Sequence, residues 1–427
     1  MTRRVVITGM GVTAPGGVGI PAFWELLTTG RPMTRPITLF DATGFRSRIA
    51  AECDLHPAGH GMNTRDTRWL DRYLQFAATA TTEALRGSGL NAVEEDEWRV
   101  GVVMGTALGS AALLEQNYVV MSDGGAKWEL DHQYGSPHLH LAWTPSMLGA
   151  EIARLCGARG PVHTVSSGCT AGIDAVGYAA QLILDGDADV VVTGGAEAPI
   201  SPATVGRFDA IGVTSSRNDD PEHSCRPFDR DRDGFVLGEG AAVLVLEELR
   251  HAVRRGATVL CEIAGYATLS SAHHMTGLTT DGRVLAVAIT QVLNQARLGP
   301  TEIDYISANG TGTRQNDRHE TNAVKLALGQ WAYSVPMSSI KSMVGHALGA
   351  SGAIELVAAA LAIERGVVPP TANLTVADPE CDLDYVPDTA REHPVGVALS
   401  LASGFGGFQS VMALRRPDSG RVERSRP

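Results

Sequence analysis

The feature that most restricts the fold is a recurrence of short Val/Ile-rich runs, each closed by small residues, with longer helical patterns between them. The runs are Arg4 to Thr8, Val100 to Met104, Val162 to Val165, Ala188 to Thr193, Ala241 to Leu246, Val259 to Ile263, Ile303 to Ser307 and Val397 to Leu401. Runs this short and this β-branched read as strands buried on both faces. Asp71 to Arg86, Ala171 to Leu184 and Gly352 to Glu364 carry helical periodicity between them. The alternation predicts an α/β protein with buried sheets.

The order also repeats. One strand runs into TGMGVTAPGG near the start, and another into AGYATLSS near residue 260. Each is followed later by a strand with a Gly-rich exit, VVVTGGAE around Gly194 and LSLASGFGG around Gly404. A break between Glu247 and Gly256 separates two similar halves, 1–250 and 251–416, and leaves a polar tail at 417–427. The repeat predicts an internal duplication.

Charge and cysteine content narrow the function. Lys+Arg 35 against Asp+Glu 47 gives −12 with no long single-sign block, which argues against a nucleic-acid grip or a polybasic membrane surface. The six cysteines are scattered without a CxxC pair, so neither a zinc site nor a disulfide framework is expected, and a reducing cytoplasm is. No apolar stretch is long enough for a membrane span. The opening MTRRVVITGMGV reads as a buried strand, not a signal peptide.

The clearest chemical signal is VHTVSSGCTAGIDAVGYAAQLILDG. Cys169 falls where a strand becomes a helix. There the unpaired N–H groups and the positive helix end are expected to stabilise a thiolate and any oxyanion beside it. A small buried hydrophobe is the alternative reading of a lone cysteine. Two later segments look built for a site. ISANGTGTRQNDRHE, from Ile306 to Glu320, leaves a strand and is packed with Gly and Thr. SSIKSMVGHALGASGAIE, from Ser338 to Glu355, holds Lys341 and His346 just before a small-residue helix, where a histidine can act as base or donor for cysteine chemistry. A turn, a solvated lysine and a packed histidine are the alternatives. His132, His138 and His140 show no metal spacing, and RPFDRDRDGF (226–235) lacks the glutamate of a calcium loop. His273 and His274 are candidates for a tunnel wall, or for packing.

Together these segments resemble the β-ketoacyl-acyl carrier protein synthases of the thiolase superfamily. The likeness runs over nearly the whole chain: TGMGVTAPGG, the Cys169 turn, RPFDRDRDGFVLGEGA, HHMTGL, NGTGTRQNDRHE, SSIKSMVGHALGASG, VPPTANL and GFGGFQS. GCTAGIDAVGYA, RQNDRHET and DPECDLDYVP are closest to the catalytic ketosynthase subunit of bacterial type II polyketide synthases. The resemblance implies a five-layered αβαβα fold of two related halves, a homodimer or a heterodimer with a chain-length-factor-like subunit, and an acyl carrier protein as partner. No tightly bound cofactor and no metal are implied; phosphopantetheine arrives as the carrier's arm. Cys169 matches the acyl-accepting nucleophile and His346 the second active-site histidine. Lys341 and Glu320 match a supporting charged pair. Thr311, Thr313 and His274 match the wall around the arm, and Phe405 matches a gating aromatic whose N–H joins that of Cys169 in an oxyanion hole.

One position departs from the pattern. The family's residue before GTGT is histidine, and here it is Asn309. The missing imidazole serves decarboxylation of malonyl thioesters. Asn can donate a hydrogen bond but cannot carry a proton near neutral pH. The expected activity is therefore non-decarboxylative: acyl loading on Cys169, then internal aldol and lactone-forming cyclisation with release, or acyl transfer. Ordinary decarboxylative condensation with malonyl carrier protein is the alternative. A non-catalytic partner subunit is a third reading, opposed by the intact Cys169, Lys341, His346 and Glu320.

Overall fold

The computed structural model describes residues 3–56, 70–90, 95–136, 139–142 and 144–417. His138 and residues 418–427 of the polar tail lie outside the described residues.

Ten strands form the path of the main sheet. The first half contributes β1 (Val5–Ala14), β2 (Val100–Gly105), β3 (Val162–Val165), β4 (Val190–Glu197) and β5 (Gly240–Glu248). The second contributes β6 (Cys261–Ser270), β7 (Tyr305–Ser307), β8 (Met337–Ser338), β9 (Val397–Gly404) and β10 (Phe408–Arg415). Their spatial order is β8-β7-β9-β10-β6-β1-β5-β4-β2-β3. Numbered within its own half, each set of five therefore runs third-second-fourth-fifth-first. The pairing sense repeats too. In each half the second strand is parallel to the third and fourth, and the fifth is antiparallel to the fourth and first. The halves join where Val5–Ile7 meets Cys261–Ile263 antiparallel.

Side-chain alternation along the strands creates the layers. Val103, Val191, Leu244 and Leu246 turn inward onto a central core shared by both halves. That core contains α3 (Ala171–Asp185) and α7 (Ser351–Arg365), which pack against each other. Val102, Val192, Val243 and Val245 turn outward onto α1 (Arg72–Ser88) and α2 (Met147–Cys156). Ile306, Leu399, Val411 and Ala413 do the same against α5 (Arg283–Ala296) and α6 (Arg314–Leu328). Helices, sheet, helices, sheet, helices make the thiolase-like αβαβα arrangement. Residues Ser351 to Ile363 of α7 are all buried, as a helix with apolar residues on every side requires. Gly172 of α3 has no room for a side chain: a Cβ would sit 2.8 Å from the Gly349 carbonyl oxygen.

Most predicted elements appear within two or three residues of their expected ends, although β1, β4, β6 and β9 run further. Within the main path two strands were not anticipated, β8 and β10. β10 returns antiparallel to β9 through a turn whose Gly406 (φ 87°) and Gly407 (φ 84°) adopt the left-handed backbone that side chains disfavour.

Candidate active site

The candidate residues follow the C-terminal ends of particular strands. Cys169 comes after β3, the third strand of the first half. Lys341 and His346 come after β8, the third strand of the second. Asn309 follows β7, and Phe405 follows β9. The duplication thus brings equivalent strand ends toward one point. A cavity of about 690 Å³ opens there, lined by Cys169, His346, Phe405, Thr311 and Thr313, with apolar walls that include Leu108 and Phe235.

Cys169 sits in a tight turn, Gly168–Thr170, whose Gly168 has φ 66°, and α3 (with Pro202–Ala210 as a separate helix, α4, across the cavity) follows directly. The turn is pinned by Asp174, whose carboxyl accepts the hydroxyls of Ser167, Thr170 (2.7 Å), Tyr266 (2.8 Å) and Ser410 (2.5 Å). The Phe405 N–H points at the Cys169 sulfur. The expected resting thiolate is not what this environment favours. Burial pushes the Cys169 thiol up to about 11, against the opposing pull of the Lys341 charge and the Phe405 N–H. At about 11 the sulfur is a neutral thiol at pH 7.

His346 lines the same cavity as Cys169. Burial, then the Lys341 charge, hold its imidazole well below the ordinary histidine range, so the ring is neutral. Nδ1 lies 2.9 Å from the Ser351 hydroxyl. When Nδ1 donates there, Nε2 keeps a lone pair for the cavity. The Phe235 ring stands edge-on to the imidazole at 5.4 Å.

The charged pair expected between Lys341 and Glu320 is arranged differently. The Lys341 ammonium forms its ion pair with Glu355 and donates to the backbone oxygen of Asn309 at 2.7 Å. Glu320 instead accepts the N–H groups of Asn309 (2.7 Å) and Gly310 (2.8 Å), and burial pushes its carboxyl up to about 8. The reason is geometric: Glu355 is carried on α7 beside Lys341, while Glu320 on α6 lies under the Asn309 turn. Glu355, Asp174 and Ser351 were missed in the sequence. A lone glutamate on an otherwise apolar helix was the available signal for Glu355.

Asn309 is 2% exposed and does not line the cavity. Its Nδ2 donates to Asn316 Oδ1 (2.8 Å) and the Ser403 carbonyl (3.4 Å), and its Oδ1 accepts from Lys341 Nζ at 3.2 Å. Lysine only donates and a carbonyl only accepts, so this network fixes which end of the amide is which. Both amide donors are occupied within the protein.

Thr311 and Thr313 line the cavity with their hydroxyls 2.9 Å apart, and Thr313 also caps α6. His274 does not line it. It is exposed, and its Nδ1 accepts the N–H groups of Thr276 (3.1 Å) and Gly277 (3.0 Å), closing a turn that sends Thr276 and Leu278 to the wall instead. The acids of the 226–235 segment hold protein groups: Asp229 accepts the N–H groups of Thr375 and Val376, and Arg232 pairs with Asp317 and Asp378. Among the described residues no group of three metal-ligating side chains is found, and no helix is long and apolar enough to cross a membrane.

Residues 2–252 match the β-ketoacyl synthase N-terminal domain, and 260–375 match its C-terminal domain. The chain is 57% identical to the tetracenomycin polyketide synthase ketoacyl synthase alpha subunit of Streptomyces glaucescens, over 98% of each chain. It is 40% identical to 3-oxoacyl-[acyl-carrier-protein] synthase 2 of a Synechocystis species, over 97% of this chain and 98% of that one. Among solved structures, it resembles a type II polyketide synthase acyl-carrier protein in complex with its ketosynthase bound to the hexaketide (TM-score 0.91, 38% identity, 97% of this chain and 100% of that one). The ishigamide ketosynthase/chain length factor is also similar (TM-score 0.87, 34% identity, 97% and 100%). Domain match, sequence and fold agree that the chain belongs to the β-ketoacyl synthase family, among the ketosynthases of type II polyketide synthases.

Proposed function

We propose that the protein takes an acyl chain from a carrier protein's phosphopantetheine arm onto Cys169 and then performs non-decarboxylative chemistry: internal cyclisation with release, or acyl transfer. The observation that carries this reading is the state of Asn309. Asn309 is not part of the cavity lining, and its two amide donors are held by Asn316 and Ser403, which are, so no free second donor joins His346 over a malonyl carbonyl.

Loading begins when His346 Nε2 takes the Cys169 proton. The thiolate attacks the thioester, the N–H groups of Cys169 and Phe405 receive the oxyanion, and the leaving carrier thiolate takes the proton back. For cyclisation, His346 removes a proton from a carbon between two carbonyls of the bound chain. The enolate attacks an internal ketone, and the resulting alkoxide attacks the Cys169 thioester. The lactone leaves, and the protonated His346 returns its proton to the sulfur. The cycle needs no external acid, base or oxidant. By analogy with the solved relatives, the partners are an acyl carrier protein and either a second copy or a chain-length-factor-like subunit.

A second reading, decarboxylative chain extension, is favoured by the similarity to the tetracenomycin polyketide synthase ketoacyl synthase alpha subunit. Intact-protein mass spectrometry with acyl-carrier and then malonyl-carrier separates the two. The first reading expects acylated Cys169 without carbon dioxide, and expects Asn309→His to raise carbon dioxide release on the order of 10²-fold or more, the usual scale for a positioned acid–base group. Prompt carbon dioxide from the parent, with a β-ketoacyl product two carbons longer, overturns it in favour of the second.

A further inference from the structure

One charged residue in the cavity has no assigned task. Arg207, on α4, lines the same space as Cys169. Its guanidinium lies over the Phe208 ring, 4.6 Å from the centroid, and Phe208 is tilted against Phe405 at 6.3 Å. Phe405 in turn presents its N–H to the Cys169 sulfur. The cation is thus stacked on the aromatic pair that borders the nucleophile.

Among the described residues Arg207 forms no ion pair and no hydrogen bond. By contrast the buried cavity arginine, Arg232, is held by Asp317 (3.2 Å) and Asp378 (2.5 Å). The carboxyl that shares the field of Arg207, Glu197, is fully occupied: it accepts Thr106 Oγ1 (3.0 Å) and the N–H groups of Ala107 (2.6 Å), Leu108 (3.1 Å) and Gly349 (3.1 Å). Partial burial already makes the guanidinium charge less favourable. Arg207 is exposed, and a guanidinium with five donors and no protein partner, opening onto a mainly apolar cavity, offers a bidentate seat for an anionic oxygen pair.

We propose that Arg207 makes the site selective for acyl chains carrying an anionic oxygen, either a carboxylate or the enolate of a 1,3-diketone. This rests on Cys169 as acyl acceptor and not on the later fate of the chain. In either case the arginine acts at the ground state of binding. A carboxylate held by a guanidinium is also less disposed to leave as carbon dioxide.

The test compares rates of Cys169 acylation by N-acetylcysteamine thioesters, read by mass spectrometry. The probes are neutral chains, equally long half-thioesters of diacids from succinyl to suberyl, a 3,5-dioxo chain and an amine-ended chain. The parent is expected to favour at least one anionic class over the neutral chain tenfold or more; the diacid and dioxo arms distinguish carboxylate from enolate. R207Q is expected to remove that preference, and R207E to transfer it to the amine-ended chain. An R207Q preference within twofold of the parent's overturns the proposal. So does equal slowing of every chain delivered on phosphopantetheine with no effect on the short thioesters, which would assign Arg207 to the carrier arm. Calorimetric binding of free diacids and neutral acids to C169S reads the same selectivity without acylation, so a failure of the nucleophile reading is distinguishable from a failure of this one.

Discussion

Asp174→Ala tests how the nucleophile turn is held. The Asp174 carboxyl gathers two hydroxyls from the turn, Ser167 and Thr170, and two from the second half, Tyr266 on β6 and Ser410 on β10. Removing it does not strand all four. Thr170 keeps the Ser167 carbonyl at 3.0 Å, and Ser410 keeps the Thr268 hydroxyl at 3.0 Å. Ser167 and Tyr266 lose their carboxylate acceptor and keep only neighbouring hydroxyls, Thr170 for the first and Thr268 and Ser410 for the second. Two charge-assisted bonds exchanged for weaker hydroxyl contacts, at about 1–1.5 kcal/mol each, give an expected loss of about 2–3 kcal/mol. Asp174→Asn keeps one acceptor oxygen and offers an amide that hydroxyls can accept, so its loss is expected to be less than half of that. Urea unfolding gives the stability, provided the slope is unchanged. Cys169 acylation gives the function, and a fall of about tenfold or more is expected for Asp174→Ala, because the sulfur's position rests on that latch. Stability of Asp174→Ala within about 0.5 kcal/mol of the parent, a change typical of surface sites, would refute the reasoning.

Further outcomes follow from the charges around Cys169. With its thiol moved from 9.0 to about 11, the thiolate fraction at pH 7 is about 100-fold below that of an ordinary cysteine. Iodoacetamide alkylation is expected to keep rising to near pH 11, and a plateau below pH 8 would contradict it. Lys341→Met leaves Glu355 buried without its cation, with an expected cost of about 3–5 kcal/mol by thermal or urea unfolding. Burial is the larger cause of the depressed His346 value and the Lys341 charge the second, so the variant is expected to move the acid limb of the acylation profile upward but to leave it short of 6.5. The His346 contribution to stability has a definite sign. Its folded-state value lies below its unfolded one, so the unfolded chain binds the proton first, and stability falls as pH drops through about 6.5. His346→Gln is expected to flatten that part of the stability profile.

Much of the architecture was legible because most strands of the main sheet are buried on both faces, β3 and β6 excepted. Val100 to Gly105 and Val190 to Glu197 leave unbroken apolar or small-residue runs, and these survive in any tertiary context. β8 was not legible because two residues, Met337 and Ser338, carry no period. β10 was hidden because its hydrophobic run is short and its pairing depends on the Gly406–Gly407 turn. The Cys169 turn and the two Gly-rich segments were also readable, since tight turns demand particular residues. Partner choice was not: Lys341 meets Glu355 and not Glu320 because of how α7 and α6 pack, which no local spacing encodes.

The sequence by itself determined the α/β alternation, the repeat of two halves and the cysteine at a strand-to-helix turn. These are local properties of backbone preference and residue chemistry. Only the tertiary structure decided that His274 caps a turn outside the cavity, that burial outweighs the helix end at Cys169, and that the Asn309 amide faces the protein and not the cavity. Each of those depends on which groups exclude water and which donors meet which acceptors. Residues far apart in the chain settle that when the two halves close on one another.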